Sequence, residues 1–172
     1  MDLAGKRVLV VGAGKSGLAA VRKLLSMKAE VFLTDKQSLS KLQGVKELAL
    51  SAQQLILGQE PDLDHLQPDL IVLSPGVSPE LPFIQKALKQ KLPVWSEVEL
   101  ALRATPATVV GVTGSNGKTT TTTLLGVLAQ ATGKKTTVAG NIGTALSGLV
   151  DNLNQGDIIV AELSSFQLEL IQ

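Results

Sequence analysis

The chain has 172 residues, balanced charge and no cysteine. Sixteen basic residues stand against fifteen acidic ones, giving a formal net charge of +1, so the composition indicates neither a nucleic-acid surface nor a polyanionic partner. The lack of cysteine excludes disulfides and thiolate metal sites. Hydrophobic residues make up 44% of the chain, which predicts a buried core, yet no apolar run is long enough to span a bilayer. We therefore expect a cytoplasmic, soluble monomer that binds small molecules.

Five apolar runs predict buried strands, and segments with helical spacing lie between them. The strands are RVLVV from Arg7, EVFLT from Glu30, DLIVLS from Asp69, TVVGVT from Thr108 and DIIVAELS from Asp157. The helical segments are marked by leucines and other aliphatic residues three or four positions apart, namely Leu18, Val21 and Leu25, then Leu81, Ile84 and Leu88, then Leu124 and Leu128. This alternation predicts an α/β architecture of parallel sheets, which bind ligands beyond the carboxyl ends of their strands.

Two glycine-rich loops, each following a strand, predict two nucleotide-handling domains. The segment RATPAT, with Pro106 among small residues, marks the break between them. Residues 1–105 would form a Rossmann-like parallel-sheet domain. Residues 106–172 would form the first part of a P-loop-type α/β ATPase domain, which we expect to be truncated because it is about half the usual domain size.

The first loop, VVGAGKSG, places Gly12, Gly14 and Gly17 in G-x-G-x-x-G spacing after a strand. Gly12 permits a tight turn, Gly14 lets a phosphate approach the backbone, and Gly17 allows close packing of helix and strand. The start of the helix offers free amides to an anion. Asp35 follows at the end of the second strand, where an acidic residue often accepts a ribose hydroxyl. The pattern fits a dinucleotide or another diphosphate such as a nucleotide-sugar, and the alternative is a glycine turn that serves packing alone.

The second loop, GVTGSNGKTTTTT, predicts a cradle for a triphosphate. Backbone amides freed by Gly114 and Gly117 can surround phosphates, Lys118 can reach the outer phosphates, and Thr119 can bind magnesium. A standard P-loop has glycine where this sequence has Val112, so we expect a shorter variant of that loop. The threonines after Thr119 would begin a helix, and those from Thr121 to Thr123 would lie on its surface.

Two further polar residues follow strands of the second unit. Glu162 ends the run IIVAE, and a carboxylate in that position needs a partner, which magnesium would supply opposite Thr119. The alternative is a charge at the start of the last helix. Asn141, in the turn GNIG, can donate a hydrogen bond to a phosphate or a carboxylate.

Taken together, GAGKSG, SPGV, GVTGSNGKTTT, AGNIG and ELSSFQLE resemble, in the same order, the motifs of the Mur ligase family. These are ATP-dependent amide ligases of peptidoglycan synthesis, and the likeness extends over the entire chain. ELSSFQLE together with the N-terminal glycine loop is similar to the branch that adds D-glutamate. The resemblance implies a UDP-sugar-binding domain, a central ATPase domain and a third domain beyond this sequence.

The resemblance also implies roles for particular residues. Around the UDP-muramoyl substrate it would place Gly14, Lys15, Ser16, Thr34, Asp35 and Ser74. Around ATP it would place Gly114, Ser115, Asn116, Gly117, Lys118, Thr119 and Thr120. Thr119 and Glu162 would bind Mg²⁺. The catalytic set would be Lys118, Asn141 and Glu162.

The implied reaction joins D-glutamate to UDP-N-acetylmuramoyl-L-alanine through an acyl phosphate made with ATP. A further metal-binding histidine, a carbamylated lysine and the D-glutamate site would lie beyond the sequence, so we expect this chain to bind nucleotide without turnover. Three alternatives remain at this point. A P-loop kinase or switch GTPase would use Lys118 but should carry its own base-recognition motif, and the sequence has no NKxD-like stretch. An NAD(P)-dependent oxidoreductase would use the first loop and Asp35 but leave Lys118 idle, and a non-catalytic module would bind nucleotide only.

Overall fold

The computed structural model describes residues 1–171, apart from the side chain of Phe166, and it divides into two compact units, Met1–Glu97 and Val98–Gln172. The division falls at the start of a helix, α4 (Glu97–Ala104), whereas the expected break at residue 105 follows that helix. Val98 and Ala101 of this helix are buried in one core cluster with Leu146 and Ile159 of the second unit. The proline turn after α4 therefore marks the end of a helix, and the second unit, with its own hydrophobic core, begins before that turn.

The first unit is built on a five-stranded parallel sheet. Its strands are β1 (Arg7–Val11), β2 (Glu30–Asp35), β3 (Leu55–Leu57), β4 (Leu70–Leu73) and β5 (Val94–Ser96), in the order β3-β2-β1-β4-β5. Its helices are α1 (Lys15–Ser26), α2 (Leu63–Leu66) and α3 (Pro82–Lys89). The strand order reverses between β1 and β4, which opens a crevice at the carboxyl ends of these two strands.

The second unit carries a parallel sheet of β6 (Thr108–Val112), β7 (Thr136–Gly140) and β8 (Ile158–Glu162), in the order β6-β8-β7. Two further helices are α5 (Lys118–Gln130) and α6 (Ser165–Leu168). The three strands end together, because Val112 and Gly140 both lie opposite Glu162 in the register. The α/β prediction with parallel sheets is confirmed. Within residues 1–171, none of the helices has the length and apolarity needed to cross a membrane.

Candidate functional site

The glycine motif that joins β1 to the start of α1 has no room for side chains at two of its three glycines. Gly12 has φ of +99°, and a Cβ there would lie 2.9 Å from Val77 Cγ2. A Cβ on Gly17 would lie 1.8 Å from the carbonyl oxygen of Gly12. Gly14 is different, since nothing lies within 4 Å of an added Cβ. Gly12 and Gly17 thus shape the turn, while Gly14 leaves open space beside its backbone.

Polar side chains from both neighbouring strands contact this turn. At the end of β2, Asp35 Oδ2 accepts a hydrogen bond from the amide of Ala13 at 2.7 Å, and Asp35 Oδ1 accepts one from the amide of Gln37 at 2.8 Å. After β4, the buried hydroxyl of Ser74 donates to the carbonyl oxygen of Gly12 at 3.0 Å. The carboxyl ends of β1, β2 and β4 are therefore joined by side-chain hydrogen bonds as well as by the sheet.

A cavity of about 780 Å³ opens beyond these strand ends. Its lining includes all six residues that the resemblance placed around the UDP-linked substrate: Gly14, Lys15, Ser16, Thr34, Asp35 and Ser74. The lining also includes residues that sequence reasoning missed, among them Lys36, Gln37, Gln59, Glu60, Leu81 and Phe83. Lys36 and Gln37 follow the end of β2, so the rule that ligands bind beyond strand ends could have found them. Gln59 and Glu60 follow β3, a strand of three residues that the sequence did not reveal.

The loop between β6 and α5 has the open backbone that a phosphate cradle needs. Gly114 has φ of +151° and Gly117 has φ of +74°, both in conformations that side chains disfavour. Ser115, Asn116 and Thr120 are exposed. Gly117 is the N-cap of α5 and supplies no side chain to the first-turn amides, so these amides remain available to an anion. The Nζ of Lys118 donates to the carbonyl oxygen of Gly114 at 2.7 Å, which holds the ammonium group over the loop.

The structure brings Thr119 and Glu162 into direct contact across the end of the sheet. Thr119 Oγ1 donates to Glu162 Oε2 at 2.8 Å, and Glu162 is only 6% exposed. Glu162 ends β8, the central strand of the sheet, while Thr119 lies in the first turn of α5. A lysine ammonium and a hydroxyl from the start of α5 and a carboxylate from the end of β8 are thus gathered at the same edge.

Asn141 joins this edge through its backbone. The amide of Asn141 donates to the carbonyl oxygen of Glu162 at 2.9 Å, while Asn141 itself is exposed. The preceding Gly140 has φ of +102°, and a Cβ there would lie 2.2 Å from the same carbonyl oxygen of Glu162. The backbone at Gly140 therefore packs directly against the Glu162 carbonyl, which leaves no room for a side chain at position 140.

Replacing Gly140 with alanine is expected to destabilise the second unit by about 2–4 kcal/mol, because left-handed strain and a backbone clash add together. The free energy of unfolding, measured in urea by far-ultraviolet circular dichroism, checks this. Gly133→Ala is the matched control: Gly133 also has positive φ (+78°) but open space around it, so only strain of about 1–2 kcal/mol is expected. Equal losses in the two variants would contradict the clash.

The donor set at Glu162 fits magnesium. Glu162 and Thr119 provide oxygen atoms, the ligands that this hard cation prefers. Because the Thr119 hydroxyl donates a hydrogen bond to Glu162, the lone pairs of the hydroxyl oxygen stay available to a cation. Within residues 1–171, no cluster of three or more His, Cys, Asp and Glu side chains could hold a metal ion. A small number of protein ligands is typical of Mg²⁺, because this ion usually keeps several waters and is bound by one or two carboxylates together with phosphate oxygens.

Comparison with protein families decides the affiliation of the chain. Residues 6–96 match the N-terminal domain of MurD-like Mur ligases, and residues 112–172 match the Mur ligase middle domain. The chain belongs to the Mur ligase family. The two matches fall on the two structural units, and they contain the cavity residues and the Lys118 loop respectively.

Curated relatives agree with this affiliation. The chain is 61% identical over 171 residues to a UDP-N-acetylmuramoylalanine--D-glutamate ligase of Desulfitobacterium hafniense, and 44% identical over 173 residues to the ligase of that name in Koribacter versatilis. These alignments cover 99% and 100% of this Mur ligase chain but 38% of each relative. Among solved structures, a UDP-N-acetylmuramate:L-alanyl-gamma-D-glutamyl-meso-diaminopimelate ligase from Neisseria meningitides has a TM-score of 0.52 at 22% identity. That alignment covers 92% of this chain and 52% of the other, and it shows a shared fold.

Proposed function

We propose that this chain carries the UDP-sugar-binding and ATP-binding parts of an ATP-dependent ligase that adds D-glutamate to UDP-N-acetylmuramoyl-L-alanine. The observation that carries the proposal is the meeting of Thr119 and Glu162 at 2.8 Å beside the Lys118 loop. An oxidoreductase has no use for this second site. The identity of 61% to a curated ligase of that activity supports the choice of substrates.

In the proposed reaction, the first unit binds the UDP-linked substrate. The diphosphate would contact the amides at the start of α1 and the ammonium of Lys15, in the cavity that Lys15 lines. Thr34, Asp35 and Ser74 line the same cavity. Because the diphosphate belongs to UDP in this proposal, the glycine loop needs no nicotinamide cofactor.

The second unit would bind ATP and stabilise phosphoryl transfer. Amides from Gly114 to Gly117 would surround the phosphates, and the Nζ of Lys118 would exchange the Gly114 carbonyl oxygen for phosphate oxygens. Thr119 and Glu162 would hold Mg²⁺, which offsets negative charge on the outer phosphates when bound. Asn141, next to the carbonyl of Glu162, would donate a hydrogen bond near the reacting groups.

The proposed reaction first converts a carboxylate, which is a poor acyl donor, into an acyl phosphate with a good leaving group. An oxygen of the L-alanyl carboxylate attacks the γ-phosphorus of ATP, the bond to the β,γ-bridging oxygen breaks, and ADP leaves. The amine of D-glutamate then attacks the carbonyl carbon of the acyl phosphate, loses a proton and expels inorganic phosphate. One ATP is thereby consumed for each amide formed. Positioning of the reactants and charge stabilisation by Lys118 would supply most of the catalysis.

Phosphate release by the product of the complete gene tests the proposal. UDP-N-acetylmuramoyl-L-alanine and D-glutamate are added to ATP and Mg²⁺ singly and then together. Sustained release is expected only with both substrates, because the acyl phosphate needs the amine to turn over. Release that ignores D-glutamate would indicate another ligase branch, and no release under any condition would contradict an ATP-dependent ligase.

Ligand binding to the first unit gives a second prediction, which separates the ligase from an oxidoreductase. UDP is expected to bind the chain with a dissociation constant at least about tenfold lower than that of NADH. Isothermal titration calorimetry on the 172-residue chain measures both constants under one set of conditions. Tighter binding of NADH would favour the oxidoreductase that the first loop alone permits.

A further inference from the structure

The turn between β1 and α1 is fastened from both sides by side chains. Asp35 accepts two backbone amides, one from Ala13 inside the turn and one from Gln37 in its own loop. Ser74 donates to the carbonyl of Gly12, which belongs to the same peptide group as the Ala13 amide. The main chain adds a further bond on the β2 side, from the amide of Gly12 to the carbonyl of Thr34 at 2.8 Å.

We propose that Asp35 and Ser74 are positioning residues, which hold the glycine loop in its anion-binding shape before a ligand arrives. The inference rests on the proposed function, since it assumes that the diphosphate of a UDP-linked substrate binds at this loop. It gives both residues a task that the sequence did not indicate. A G-x-G-x-x-G pattern with a later acidic residue predicts contact between that residue and a ribose, whereas here the carboxylate contacts the loop itself.

The hydrogen bonds determine which amides are left for an anion. The amide of Ala13 is occupied by a carboxylate, so it is unavailable to a phosphate and carries negative charge beside it. The first turn of α1 is free of this restriction, because Gly14 gives it no side-chain cap and its first turn contains no acidic residue. Anions bind readily to such amides. The phosphate contacts therefore fall on Lys15 and Ser16, and Asp35 keeps them away from Ala13.

Fastening the loop in advance also favours affinity. Gly12 adopts positive φ, and glycine has more conformational freedom to lose than any other residue. A loop already ordered by Asp35 and Ser74 loses little freedom when the ligand binds, so more of the interaction energy appears as affinity.

The test combines Asp35→Asn with amide hydrogen exchange and UDP binding in the 172-residue chain. Asparagine has nearly the same shape, but one of its two terminal groups is an NH₂ donor, which cannot accept a hydrogen bond from a backbone amide. In the unsubstituted protein without ligand, we expect the amide of Ala13 to exchange slowly by NMR. In Asp35→Asn we expect faster exchange at Ala13 or Gln37, and UDP binding weakened about tenfold.

Ser74→Ala is a second variant, which removes the donor to Gly12 and keeps every charge. It is expected to weaken UDP binding several-fold and to speed exchange at Ala13. Asp64→Asn is the matched control, because it removes the same charge from a surface carboxylate that is paired with Lys86 and is not among the residues that line the cavity. Neither measurement is expected to change in the control.

Each outcome decides the proposal. A carboxylate that acted by charge alone would repel the diphosphate, so tighter UDP binding in Asp35→Asn would overturn a positioning role. Weaker UDP binding with unchanged exchange at both amides would show that Asp35 only contacts the ligand, which also overturns it. If UDP fails to bind the unsubstituted chain, the proposed substrate is wrong, and exchange at Ala13 in the two variants still decides whether the loop is held by these side chains.

Discussion

Replacing Lys118 with alanine in the product of the complete gene is expected to lower kcat about 10³-fold, a loss of about 4 kcal/mol of transition-state stabilisation. Lys118 is the cation of the glycine loop, and its Nζ already lies 2.7 Å from the carbonyl of Gly114. Charge spreads over the transferring phosphoryl group in the transition state, so a preorganised cation stabilises that state more than the substrates. Phosphate release at saturating substrates measures the effect.

Two companion variants distinguish the loss of the Lys118 ammonium group from the loss of its aliphatic stem and from a change in the net charge of the protein. Lys118→Met keeps the aliphatic stem and loses the ammonium, so it is expected to be as slow as the alanine variant. Lys134→Ala removes one charge from an exposed position in the same unit and is expected to retain at least half of the activity. Turnover in Lys118→Ala comparable to that of the unsubstituted enzyme would refute the assignment of the second site.

The long, central elements of the fold could be predicted from sequence because burial on both faces leaves an uninterrupted apolar run. The strand β1 is such a case, with four of its five residues buried. The edge strands β3 and β5 have three residues each, too few to show a pattern. The helix α5 was predicted from Leu124 and Leu128, yet these residues are more than half exposed. Its buried positions are Thr122 and Gly126, and an added Cβ at Gly126 would lie 2.5 Å from Val138 Cγ2.

In the candidate site, residues that are contiguous in sequence could be predicted, whereas contacts between residues far apart in sequence could not, apart from the one between Glu162 and Thr119. The Lys118 loop is contiguous in sequence, so its residues could be identified together. The opposition of Glu162 and Thr119 followed from the rule that parallel strands end at one edge. The use of Asp35 to hold the amide of Ala13, 22 positions earlier, could not be predicted, because it depends on how two strand ends meet in space. The contact of Gly140 with the carbonyl of Glu162 is hidden for the same reason.

Replacing Gly17 with alanine is expected to destabilise the first unit by about 3–5 kcal/mol. A Cβ at this position would lie 1.8 Å from the carbonyl oxygen of Gly12 and 2.6 Å from Ser74 Oγ. The first of these atoms belongs to the backbone, so it cannot turn aside as a flexible side chain would. Alanine favours a helix by about 1 kcal/mol over glycine, which is too little to offset a clash that must move α1 away from the end of β1.

Unfolding in urea followed by the fluorescence of Trp95 measures this effect, since Trp95 is the only tryptophan of the chain and lies buried in β5 of the first unit. Gly14→Ala is the control within the same turn, because Gly14 has φ of −74° and nothing within 4 Å of an added Cβ. Its stability is expected to stay within about 0.5 kcal/mol. Similar losses in both variants would mean that an added side chain destabilises this segment whether or not it clashes with a neighbouring atom. A large loss at Gly17 alone would tie the stability of the first unit to the contact between α1 and the carbonyl of Gly12.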